Sequence, residues 1–385
     1  MKSAGSDLHR VCGAASWRLA SDRVEAYLTR DGGHLAPVTF RTARGPVQPY
    51  AIAPWSEERL APDTPAVLRT LRGDFFCLPF GGNERPWRGE RHPVHGETAS
   101  GRWRLVSVSP PGPVVELTAE LATTVRPGRV RKRVRLRAGE ANVYCRDELR
   151  GFQGPMCLGH HAMLAFPEAE GAGRIALSPW RGGQVCPRPF ESPARGGYCA
   201  LKTGARFRDL RRVPLAGGGW ADLTRYPARE GFEDLVLVSA RPGARLAWTT
   251  VTFPGQGYVW IALKDPRVLA STVLWHSNGG RHYPPWNGRH RRVLGLEEVT
   301  GDFHFGLADS AADNPLARRG VPTVLRLRPA APLVVNYVMG VAAIPRGFDV
   351  VRRVRFARDH VVLTAASGAT VAHAVDLSFF NPDPR

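Results

Sequence analysis

Lysine is almost missing from this 385-residue chain: only Lys2, Lys132, Lys202 and Lys264 stand among its 53 basic residues. The formal net charge of +19 therefore rests on arginines, which run along the whole length instead of gathering in one segment. A nucleic-acid surface concentrates its charge on one face, so this even spread argues against DNA or RNA as a partner. No apolar run is long enough to cross a bilayer; the least charged stretch, 332–345, falls short and contains Asn336 and Gly340. Residues 1–11 lack the apolar h-region of an export signal. The six cysteines form no Cys-x-x-Cys pair, which excludes a zinc knuckle or a thioredoxin-type motif. A chain of this length does not depend on disulfides. A reduced, cytoplasmic protein without membrane contact is expected.

Nucleotide and hydrolase fingerprints are missing too. There is no G-x-x-x-x-G-K-[ST], no G-x-G-x-x-G between a strand and a helix, and no G-x-S-x-G elbow. Helical periodicity is weak, with candidates only at 56–71 and 310–319, both carrying proline. Eight of the twelve histidines (His92, His95, His160, His161, His276, His282, His290 and His304) stand as candidate ligands, and no pair fits a frame such as H-E-x-x-H, so no metal is expected.

What is present is alternation with a period of two. Residues 23–29, 103–108, 114–121 and 130–136 alternate, and further strands are expected near 235–240, 245–253, 258–263, 269–275, 332–339 and 360–364. Turn signals such as Asp31-Gly-Gly33 and Arg126-Pro-Gly128 fall between these runs. The lack of βαβ alternation argues against Rossmann and TIM architectures, and an all-β sandwich of many strands is the economical solution. One continuous domain over 1–385 is expected, with residues 1–14 as a flexible N-terminus. Arg131, Arg133, Arg135 and Arg137 share one face of a strand, read as its solvent face rather than a phosphate strip. An exposed sheet of this size leaves room for a homodimer.

Three clusters carry the chemistry-bearing residues. The first runs from Gly73 to Trp87 and on through His92-Pro-Val-His-Gly-Glu97, a Gly- and Pro-rich loop of the kind that builds pockets on rigid sheets. The second is Gly159-His160-His161 on an apolar strand, where adjacent side chains point to opposite faces, so one histidine alone can face a pocket. The third is Trp275 to Trp286, followed by Leu294-Gly-Leu-Glu-Glu298. Tryptophans in polar loops suit the C–H face of a sugar ring. One of Glu297 and Glu298 should point inward, where desolvation would raise its pKa as suits a general base.

In order along the chain, these pieces resemble the aldose 1-epimerase (galactose mutarotase-like) superfamily. Residues 24–40 resemble its first hairpin, Phe75-Phe-Cys-Leu-Pro-Phe-Gly-Gly-Asn-Glu-Arg85 its arginine-bearing loop, and Pro93-Val-His-Gly-Glu-Thr98 its His-Gly element. Gly159-His-His-Ala-Met-Leu164 resembles the strand of the catalytic histidine, and Leu294-Gly-Leu-Glu-Glu298 that of the catalytic glutamate. The usual proline after that glutamate is here Glu298, Glu84 interrupts the Asn-Arg pair, and no aspartate that grips the sugar can be placed.

The resemblance implies a large antiparallel β-supersandwich and a cofactor-free isomerase acting on a small carbohydrate. Glu297 would take the anomeric proton and protonated His161 would donate to the ring oxygen, with His95, Arg85, Asn83, Trp286, Trp275 and His282 binding the sugar. Two alternatives stay open: a non-catalytic carbohydrate sensor on the same scaffold, and a hydrolase or lyase. For the hydrolase the facing carboxylates would be Glu97 and Glu297.

Overall fold

Two large antiparallel sheets face each other in this computed structural model, which describes residues 7–381. The seven-stranded sheet runs, edge to edge, Arg206–Phe207, Trp180–Val185, Phe232–Ala240, Ser271–Asn278, Val293–Thr300, Leu158–Ala165 and Phe76–Cys77. The nine-stranded sheet includes Ala247–Phe253, Tyr258–Lys264, Leu333–Ala343, Asn142–Arg150, Gly128–Arg137 and Val114–Thr123. The expected all-β, antiparallel supersandwich is what forms.

The period-two pattern assigns each side chain its layer. Leu158, Ala162, Leu164, Leu274, Leu294 and Leu296 of the first sheet fill the space facing the second, together with Trp260, Tyr337 and Met339. The alternate residues Met163, Val273, Trp275, Val293 and Val299 turn the other way and join Trp55, Leu71, Phe75 and Trp286 in a separate apolar layer. The candidate site is built on that second face. A three-stranded sheet, Val351–Phe356, His360–Ala365 and Thr370–Ala374, covers the outer side of the nine-stranded sheet through Val361 and Leu363 against Val259, Ile261 and Val338.

Several expectations need correction. The helix expected over 56–71 shrinks to Ala66–Arg69, and that over 310–319 divides into Leu307–Ala311 and Pro315–Arg318, because apolar residues at helical spacing are too few to bury a longer face. Leu8–Val11, expected within a flexible N-terminus, pairs with Ala14–Ala20; residues 1–6 lie outside the described residues. The arginine strip is the outer face of Gly128–Arg137, as expected, but it is laced with carboxylates. Arg131 meets Glu120 and Arg135 meets Glu116. Lys132, on the inward face of that strand, is buried against Asp147 at 2.8 Å. No helix among the described residues is long and apolar enough to cross a membrane.

Candidate active site

His161 and Glu297 are cross-strand partners. The strands Leu158–Ala165 and Val293–Thr300 pair so that His161 lies opposite Glu297, and both side chains point away from the inter-sheet core. His161 Nε2 is 3.4 Å from Glu297 Oε1. One residue back or forward, parity sends the neighbours inward. His160 lies between the sheets with Nδ1 2.9 Å from Asp74, and Glu298 is held there by Lys264 and by Thr272 Oγ1 at 2.7 Å.

The pair forms the floor of a cavity of about 570 Å³. Its walls include His95, Trp275, Trp286, Arg281, Glu191 and His304. His161 stacks on Phe75 with ring centroids 4.6 Å apart, and Phe75 stacks on His34 in turn at 4.1 Å. His95 meets His161 edge-on at 4.9 Å. Its Nδ1 accepts from the Gly81 N–H at 3.3 Å, which leaves Nε2 to carry the ring proton. The two loops of the first sequence cluster touch so closely here that Gly96 is required: at φ +78, a Cβ would lie 1.9 Å from the Leu78 carbonyl oxygen.

Burial sets the protonation of the floor. Desolvation lifts Glu297 to about 8, and the Arg281 charge only partly opposes it. The same burial, reinforced by His95 and other histidines, drives His161 well below the ordinary histidine value. Burial therefore pushes both groups toward their uncharged forms, a protonated carboxyl and a neutral imidazole. This is opposite to the resting assignment that the family resemblance implies. Among the described residues His161 Nδ1 is buried and has no hydrogen-bond partner.

Arg281 is the residue sequence reasoning missed. Its guanidinium sits 4.4 Å from the Trp286 ring centroid and 5.3 Å from that of Trp275, and its Nε donates to Glu191 at 2.6 Å. Tyr283 donates to Glu191 as well, at 3.1 Å. Behind them Glu233 accepts from Trp275 Nε1 and Ser277 Oγ, each at 2.9 Å, and burial raises its pKa to about 7. Arg281, Glu191 and Glu233 thus fix the aromatic wall. The available signal was Arg281 standing between Trp275 and Trp286 in the third cluster. Among the described residues no group of three or more His, Cys, Asp or Glu could hold a metal ion.

Solved structures carry the same architecture. A galactose mutarotase-like protein from Clostridium acetobutylicum superposes with a TM-score of 0.58 at 12% identity, over 88% of this chain and 98% of its own. A candidate aldose 1-epimerase from Escherichia coli K12 gives 0.56 at 16% identity, over 86% and 100%. A galactose mutarotase related enzyme from Lactobacillus acidophilus gives 0.53 at 12%, over 85% and 97%. The chain has the galactose mutarotase-like fold. No protein-family model and no curated protein matches the sequence.

Within this mutarotase-like fold the expected site residues divide. His161, Glu297, His95, Trp275 and Trp286 meet at the cavity. Arg85 does not line it: its side chain is exposed and pairs with Asp309 at 3.2 Å. The intervening Glu84 lines the cavity in its place. Asn83 locks the loop, its amide donating to the carbonyls of Pro79, Gly81 and Pro93 while Oδ1 accepts from the Leu307 N–H at 3.0 Å. That leaves it no free group for a sugar. His282 is exposed and packs edge-on against Tyr198, outside the cavity. Glu97, the proposed partner of Glu297 in a hydrolase, is consumed by the backbone of Thr124 and Val125 and does not reach the cavity.

Proposed function

We propose that this protein interconverts the anomers of a free aldose or a related sugar derivative by acid–base opening of the hemiacetal. The observation that carries the reading is the His161–Glu297 pair at 3.4 Å on the floor of an aromatic cavity. The anomeric hydroxyl and the ring oxygen are bonded to the same carbon, so an acid and a base that serve both must be close neighbours. One proton shared between them suffices.

With that proton resting on Glu297, ring opening draws the acid from Glu297 and the base from neutral His161. His161 Nε2 takes the hydroxyl proton, the C1–ring-oxygen bond breaks as C1=O forms, and Glu297 protonates the departing ring oxygen. The aldehyde rotates. Closure on its other face runs from the resulting carboxylate and imidazolium: Glu297 takes back the proton of the former ring oxygen while His161 protonates the carbonyl oxygen. His95, through its Nε2 proton, and Arg281 are the donors placed to hold hydroxyls, and Trp286 offers the stacking wall.

The test is one-dimensional NMR of freshly dissolved aldoses with wild type, His161→Ala and Glu297→Gln. Faster equilibration by wild type, lost in both variants, is expected. Sugar line broadening without any acceleration would overturn catalysis and leave a carbohydrate-binding protein on the same fold.

A further inference from the structure

A second cavity, about 710 Å³, opens on the same face of the seven-stranded sheet. Leu235 lines the acid–base cavity, while Leu237 and Ser239 line this one, so Phe232–Ala240 leads from one to the other. Alternate residues of a strand share a face and lie roughly 7 Å apart, so the two cavities are near neighbours.

Four arginines, Arg181, Arg206, Arg208 and Arg319, line the second cavity, and no acidic residue does. Among the described residues the guanidinium groups of Arg181, Arg206 and Arg208 have neither a hydrogen bond nor an ion pair. The Arg319 guanidinium has, among the described residues, an uncharged partner alone, donating to Gln184 Oε1 at 2.7 Å. Partial burial, then the nearby charges of Arg206 and Arg181, depress the Arg319 pKa, with Asp302 as the opposing carboxylate. Other arginines of this chain are neutralised in place: Arg104, Arg129 and Arg131 all converge on Glu120. Like charges gathered in a concave wall repel one another and raise the local concentration of anions. Planar guanidinium forks match the oxygens of a tetrahedral oxyanion.

We propose that this arginine-lined cleft is an oxyanion subsite that takes phosphate, either free or as the phosphoryl group of a sugar phosphate. The probe is inorganic phosphate, titrated by calorimetry at about 0.1 M salt so that diffuse surface attraction is screened. Saturable binding by wild type is expected, weakened at least about tenfold in Arg206→Ala/Arg319→Ala, a loss of roughly 1.4 kcal/mol or more. A charge-matched control, Arg353→Ala/Arg355→Ala, removes two exposed arginines from Val351–Phe356 and should bind as wild type does. Equal weakening in both double variants, or none in the first, overturns the subsite. A parallel titration with glucose 6-phosphate names the source. Tighter binding than inorganic phosphate, with the gain lost in Trp286→Ala, assigns a sugar phosphate; equal affinity assigns free phosphate. Only this second arm rests on the sugar reading of the acid–base cavity, so the phosphate result stands if that reading fails.

Discussion

His161 and Glu297 face each other across two hydrogen-bonded strands, and their shared burial pushes both toward the uncharged form. A carboxyl that keeps its proton to about 8 beside an imidazole that stays neutral well below 6.5 is a one-proton couple over the whole neutral range. That couple drives the first two expected outcomes.

The rate of anomer interconversion should hold from about pH 6 to 7 and fall as pH rises through about 8, where Glu297 loses the proton that the couple needs. Removing either member should cost about 10²–10⁴-fold in rate, as expected for a positioned acid or base. A pH–rate profile by NMR or polarimetry checks both. An acid limb centred on 6.5 would contradict the neutral imidazole.

Stability should carry the same signature. Folded Glu297 keeps its proton between its ordinary value of 4.5 and about 8, whereas the unfolded chain releases it, so this group's stabilising contribution is full below 4.5 and is lost as pH rises toward 8. Glu297→Gln removes that dependence, and its melting temperature relative to wild type should climb between pH 5 and pH 8. His161 acts at the other end: stability falls as pH drops below 6.5, because only the unfolded imidazole takes a proton there. Thermal scans across pH 5–9 measure both slopes.

Arg281→Ala should destabilise the protein by about 3–5 kcal/mol, because it leaves Glu191 buried without its cation. It should also move the alkaline limb of the rate profile upward, since the Arg281 charge restrains the Glu297 pKa. Urea unfolding and the pH–rate profile report the two effects separately. A purely structural arginine would move only the first.

Arg85→Ala and His282→Ala should each change KM for the sugar by less than about twofold, as both side chains lie outside the cavity. Steady-state kinetics on the two variants decide this. A large rise in KM would restore the roles that the loop motif implies for them.

Lys264→Met should cost about 3–5 kcal/mol by stranding Glu298 between the sheets, and Lys264→Met/Glu298→Leu should recover most of that loss. Matched urea titrations of the single and double variants give the comparison.

Much of this site was legible in the chain because strand alternation is a local property. Opposite faces for His160 and His161, and for Glu297 and Glu298, follow from sequence spacing alone. Which member faces the cavity does not: it depends on which sheet face meets the nine-stranded sheet. Loop side chains were harder still. Asn83 and Arg85 sit in a motif that reads as sugar-binding, yet the backbone turns Asn83 inward to hold its own loop and leaves Arg85 with Asp309, 224 residues away.

The sequence by itself determined the all-β class, the strand faces and the presence of an inward glutamate and histidine, since each follows from a period of two and the scarcity of helical spacing. Only the tertiary structure decided the rest. It set His161 opposite Glu297, enclosed Arg281 between two tryptophans, spent Glu97 on a turn and gathered four arginines in one cleft. These are contacts between residues far apart in the chain, and their register is fixed by strand pairing and packing of the assembled sheets, which no local pattern encodes.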